Sequence, residues 1–99
     1  MKMQMFSDEE LTIPIDSISF GRVNIGTSKE ITVYILNESI NNIDKLKFIP
    51  QNKEVTVSYA PRRIGKKDSA PVKLVWTPSL KIKKGLNVEV RVEGVMVYE

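Results

Sequence analysis

The chain has 99 residues, enough for one domain with a single modest core, and its 41% apolar share is led by Val and Ile rather than Leu. It has no Cys and no His, which excludes disulfides, thiolate nucleophiles, a Cys-based zinc centre, the usual catalytic triads and the commonest transition-metal ligand. A net charge of +3, from 15 basic and 12 acidic residues spread along the chain, reads as a solvated surface, and no apolar run approaches the ~20 residues of a spanning helix. Beta-branched residues fit a pleated, half-buried surface, so the composition leans all-β.

Residues 1–10 read as an N-terminal arm. Met3, Met5 and Phe6 are apolar without a helix or strand period, and the stretch turns acidic at Asp8, Glu9 and Glu10. It is either a frayed terminus or an arm docking on a neighbouring subunit, since Met adapts to irregular surfaces. It has no apolar run of signal-peptide length. The acidic trio lacks the Gly-punctuated spacing of a calcium loop. Residues 11–99 read as one domain.

Residues 11–15 form a short strand with Leu11, Ile13 and Ile15 on one face. Pro14 cannot donate to a ladder, so this strand belongs at an edge. Residues 18–25 carry Ile18, Phe20, Val23 and Ile25, broken by Gly21 and Gly26. Residues 29–36 alternate cleanly: Ile31, Val33 and Ile35 face in, while Thr32 and Tyr34 face out. They stop at a turn over residues 37–39. Residues 40–48 are ambiguous between a turn followed by strand and a helical turn.

Residues 54–59 form a strand with Val55, Val57 and Tyr59 inward, ended by Pro61. A basic loop follows, with Arg62, Arg63, Lys66 and Lys67. Residues 70–77 form a strand with Val72, Leu74 and Trp76 inward, Trp76 being the core anchor. A second basic loop holds Lys81, Lys83 and Lys84, and Gly85 suits a tight hairpin exit. Residues 86–92 give the longest clean alternation: Leu86, Val88, Val90 and Val92 against Asn87, Glu89 and Arg91. Beyond it, Gly94 marks a break. A bulge there flips the parity and buries Val95 and Val97; a regular strand leaves them as an exposed apolar strip that reads as an interface.

About seven short strands with polar turns and no convincing helix point to a β-sandwich. The order of features resembles the ASH domain family (abnormal-spindle and hydin type), relatives of the major-sperm-protein fold. The Ser19-Phe20-Gly21-Arg22-Val23-Asn24-Ile25-Gly26 run looks like that family's entry motif, although Ser19 stands where an acidic residue is usual. The Ile31-Thr32-Val33-Tyr34-Ile35-Leu36-Asn37 run is similar to its second strand. Residues 57–61 and 75–78 look like its strand-then-Pro pattern, which appears twice here, and Val92-Glu93-Gly94 resembles its closing motif. The resemblance implies an immunoglobulin-like Greek-key sandwich that binds and assembles without catalysis, and without a cofactor.

The two basic loops fall at opposite ends of an up-and-down pairing, and no exposed aromatics are interleaved with them. That argues against specific nucleic-acid binding. Ser69 and Thr77 have no base partner. The expected function is a non-catalytic structural or assembly module. A virion component, either capsid-decorating or tail-associated, is preferred, with capsid or tail subunits as protein partners and homo-oligomerisation open. The alternative is a cellular ASH-like scaffold domain, and a third reading is a carbohydrate-binding module using Tyr34, Tyr59 and Tyr98. Met3, Met5, Phe6, Tyr34, Val95 and Val97 are the candidate partner contacts. The location expected is the virion or the cytoplasm.

Overall fold

The computed structural model describes residues 2–21, 23–24, 26–78 and 86–98. Every described element is a strand: β1 (Met3–Phe6), β2 (Pro14–Ile15), β3 (Ile18–Ser19), β4 (Lys29–Asn37), β5 (Asn42–Pro50), β6 (Val55–Tyr59), β7 (Ser69–Trp76), β8 (Asn87–Val88) and β9 (Val90–Val97). They form a five-stranded antiparallel sheet in the order β2-β1-β4-β7-β6, and two strand pairs, β3-β8 and β5-β9. The arrangement is all-β and sandwich-like. Among the described residues the strands do not close into a barrel.

Two stretches change pairing partners along their length. Residues 14–19 begin as β2 against β1 and end as β3 against β8. The expected long strand at residues 86–92 is divided at Glu89: β8 pairs with β3, and β9 pairs with β5. Alternation survives the division, with Val88 buried and Val90 and Val92 half-buried.

The core lies between the layers. Val33 and Ile35 of β4, Val55 of β6 and Val72, Leu74 and Trp76 of β7 meet Ile18, Phe20, Ile43, Leu46, Ile64 and Val88. Trp76 is 1% exposed and Phe20 is fully buried. Their rings meet edge to face, with centroids 5.9 Å apart at 60°. The Trp76 indole Nε1 donates to Glu54 Oε1 at 3.3 Å.

The ambiguous stretch 40–48 is part of the nine-residue β5. Its period is hidden by a bulge between Asp44 and Lys47, where Lys45 takes φ 53°. The Lys45 N–H donates to Asp44 Oδ1 at 2.8 Å. The extra residue lets both Ile43 and Leu46 turn inward. A second bulge, between Val57 and Tyr59 on β6, overturns one expectation. Tyr59 does not face inward; it is 52% exposed. The strand expected over residues 11–15 shortens to Pro14–Ile15. Leu11 adopts φ 59° and Ile13 is 55% exposed, so the three apolar residues do not share a face. Pro14 does lie on an edge strand.

The β1–β2 connection is built around Asp8. Its carboxylate accepts from the Thr12 hydroxyl, from the N–H of Thr12 at 3.0 Å, and from the N–H of Ile13 at 2.9 Å. The Thr12 hydroxyl, and then these N–H groups, hold the carboxyl below the usual Asp range. A lowered folded value means that the ionised form supports the loop. That support is full above the unfolded Asp value and is lost as pH falls through the lower folded one. Acid titration followed by NMR is expected to move the Thr12 and Ile13 amide resonances together. Their midpoint should lie below that of an unfolded Asp; a midpoint at or above it would remove Asp8 from this role.

Candidate functional site

The sequence-selected residues fall on three surfaces. Met3 and Met5 lie on β1, within the stretch expected to be an arm. Met5 is registered with Ile15 and Ile35, and both methionines pack half-buried against the core. They pack against this chain's own core and keep part of their surface open. Phe6 is registered with Tyr34, and directly opposed residues share a face. Val33 and Ile35 point into the core, so Phe6 and Tyr34 lie together on the outer face of the five-stranded sheet. Phe6 is nonetheless buried, and Tyr34 is half-buried.

Val95 and Val97 lie on β9. The expected bulge at Gly94 is displaced to the partner strand: the additional residue belongs to β5, opposite Gly94, and β9 runs on regularly. Val95 consequently shares the outer face with Arg91 and Glu93 and is 53% exposed. Val97 is half-buried beside Lys66, Ile40 and Asn42, around a polar depression of about 280 Å³. Ile40 and Tyr98 are both 78% exposed. One end of the β5–β9 ribbon thus presents Ile40, Val95 and Tyr98 to solvent.

The first basic loop is held down rather than free. Ile64, within it, is buried and exchanges two backbone hydrogen bonds of 2.9 Å with Ile43, and Leu46 N–H donates to the Arg62 carbonyl at 2.9 Å. Lys66 N–H reaches Asn42 Oδ1 at 2.9 Å, and Lys67 Nζ donates to the Glu38 carbonyl at 2.6 Å. The Arg62, Arg63, Lys66 and Lys67 residues remain exposed. The second basic loop, with Lys81, Lys83, Lys84 and Gly85, lies outside the described residues.

Sequence reasoning placed Asn37 at the end of a strand and the start of a turn, and did not single it out as a site residue. It is fully buried. Its Nδ2 donates to the carbonyls of Asn41 at 2.9 Å, Gly65 at 3.1 Å and Ile64 at 3.3 Å, while Oδ1 accepts from Ser39 N–H at 3.0 Å and Ser39 Oγ at 2.6 Å. Asn37 therefore ties the basic loop to the Ile40 turn. A clue was present: Asn37 continues the inward alternation of Val33 and Ile35, a position at which a polar side chain must find partners.

Beside β9 the two layers part. A cleft of about 330 Å³ runs between β9 and the β1–β2 pair, lined by Met3, Met5, Ile15, Ile35, Val90 and Val92, with Gln4 and Asp16 at its rim. Its lining mixes apolar side chains with Gln4 and Asp16, and its open surface is more polar than apolar. The three tyrosines lie on three different strands or strand ends: Tyr34 on β4, Tyr59 on β6 and Tyr98 after β9. Among the described residues, no group of three His, Cys, Asp or Glu side chains is placed to hold a metal ion, and no helix is long and apolar enough to cross a membrane.

No protein-family model matches this sequence, and neither a curated protein nor a solved structure matches it. The surfaces themselves carry the functional argument.

Proposed function

We propose that this chain is a non-catalytic assembly module on an immunoglobulin-like Greek-key scaffold of the ASH type. It acts as a structural component of a virion, such as a capsid-decorating or tail-associated subunit. The observation that carries this reading is the apolar end of the β5–β9 ribbon, where Ile40, Val95 and Tyr98 stand exposed on one small domain. Large apolar side chains gathered at one end of a ribbon favour a protein partner. The exposed Lys66, beside Ile40 and Val97, and Lys67, bonded to the Glu38 carbonyl, supply a polar rim to the same end. The module works in the virion, or in the cytoplasm where virions assemble, without a cofactor and without reading nucleic-acid sequence.

Particles purified from the source by density gradient, with the chain quantified by mass spectrometry, test this reading. The expected result is a fixed copy number per particle that survives a salt wash. Recovery only among free proteins would overturn the virion role and favour a cellular scaffold.

A further inference from the structure

Sheet edges invite pairing with other chains, and proteins blunt them with Pro, bulges or shortness. The edges of this molecule differ sharply. In the five-stranded sheet, β2 has two residues and contains Pro14, and the opposite edge strand, β6, has five and is interrupted by its bulge. The outer side of β5 is occupied by Ile64 and Arg62. The far edge of β9 has none of these devices. It is eight residues long and contains no Pro and no extra residue; β3 takes the same side of the chain at Asn87 and Val88, which leaves the run from Val90 to Gly94 without a strand partner on that side among the described residues.

The backbone phase of that edge can be read directly. Gln51 N–H donates to the Glu89 carbonyl at 2.8 Å, so Glu89 turns its backbone groups toward β5. Antiparallel ladders alternate, so Arg91 and Glu93 do the same, while Val90, Val92 and Gly94 aim theirs outward. Pro50, which has no N–H, accordingly stands opposite Val90.

We propose that β9 is a self-association edge: two copies pair their β9 strands antiparallel about a two-fold axis at Val92. This deepens the assembly reading and rests on it. About that axis the outward backbone groups of Val92 bond to those of Val92 in the second copy, and those of Val90 bond to those of Gly94. The intervening positions place Arg91 opposite Glu93 of the second copy, and Glu93 opposite its Arg91. These are non-hydrogen-bonded pairs, in which side chains approach most closely. The interface is thus self-complementary, as two-fold symmetry requires. Arg91 and Glu93 are exposed and already 3.8 Å apart within one chain, so pairing would assemble a four-charge cluster. Moving the axis by one residue, to Arg91 or Glu93, sets like charges against each other. An axis at Val90 would centre the second copy beside Val88, whose outward side is already taken by Ile18 of β3. The charge pattern therefore selects one register.

Sedimentation equilibrium on the full chain tests this, with R91E, E93R, their mixture and the R91E/E93R double variant, each checked for folding by circular dichroism. The wild type is expected to dimerise. Each single variant should weaken association on the order of tenfold or more, because both cross-strand pairs become repulsive. The equimolar mixture should restore association as a heterodimer, and the double variant should restore it in one chain. A wild type that stays monomeric overturns the proposal. So does association that the single variants leave intact: the molecule would then assemble through another surface, and only the β9 pairing would fail.

Discussion

Replacing Trp76 with Ala is expected to lower the unfolding free energy by about 3–5 kcal/mol, the range for emptying a buried aromatic site. Trp76 is 1% exposed and is among the largest fully buried side chains of the domain. Three elements depend on it. It ends β7, its register partners are Lys29 on β4 and Val55 on β6, and its ring meets Phe20 beyond β3. The cavity would open where both layers converge, and a rigid sheet cannot collapse to fill it. For a domain of this length the loss corresponds to a fall in melting temperature of roughly 15 °C or more. Urea denaturation followed by far-ultraviolet circular dichroism is the suitable measurement, because the variant would contain no Trp. Trp76→Phe keeps a ring against Phe20 and should recover much of the loss. A deficit below about 1 kcal/mol in Trp76→Ala would show that Trp76 is not the anchor.

The distribution of legible and hidden features follows from what is local and what is not. The inward set Val72, Leu74 and Trp76 was readable because β7 keeps an uninterrupted period of two, and Pro14 marked an edge because a missing N–H is a property of one residue. Bulges are relations between strands. The break near Gly94 was visible, but the additional residue lies on β5 at Lys45, and nothing in residues 90–97 could say so. The same bulge is why Ile43 and Leu46, three apart and both inward, matched neither a strand nor a helix. Ser58 hides the reversal of Tyr59 in a similar way: its hydroxyl bonds Glu30 Oε2 at 3.2 Å and the Lys73 carbonyl at 3.3 Å, contacts far away in sequence. Among the site residues, exposure of Val95 was one of two outcomes that alternation allowed. The pairing of Phe6 with Tyr34, and the packing of Met3 and Met5 on the core, need the register of β1 against β4. Residues 1–10 alone, with no clean period, do not contain that register.

Asn37 carries the other large effect. Asn37→Leu is expected to cost about 2–4 kcal/mol, because the Asn41, Ile64 and Gly65 carbonyls and the Ser39 donors would lose their buried partner. Leu keeps the branched shape of Asn but is larger, so at this fully buried site the loss would combine hydrogen bonding with some overpacking. Asn37→Asp separates the two halves of the network. Its carboxylate keeps an acceptor for Ser39 but confronts three carbonyl oxygens with negative charge. Burial and those carbonyls would raise the folded value of the introduced acid above its unfolded one. A raised value means that stability is present at low pH and lost as pH rises through it. The deficit of Asn37→Asp relative to the wild type should therefore be larger at pH 7 than near pH 4, whereas that of Asn37→Leu should change little. Urea midpoints at the two pH values decide the matter; equal pH behaviour in the two variants would mean that the Asn37 amide does not donate to these carbonyls. The outcome bears on assembly as well as on folding. Asn37 ties the turn that carries Ile40 to the loop that carries Arg62, Arg63, Lys66 and Lys67, and both border the apolar end of the β5–β9 ribbon. Loosening that tie would release the surface that presents Ile40 while leaving Arg91 and Glu93 on β9 in place. Loss of partner binding with retained β9 pairing is the expected consequence for a variant that still folds.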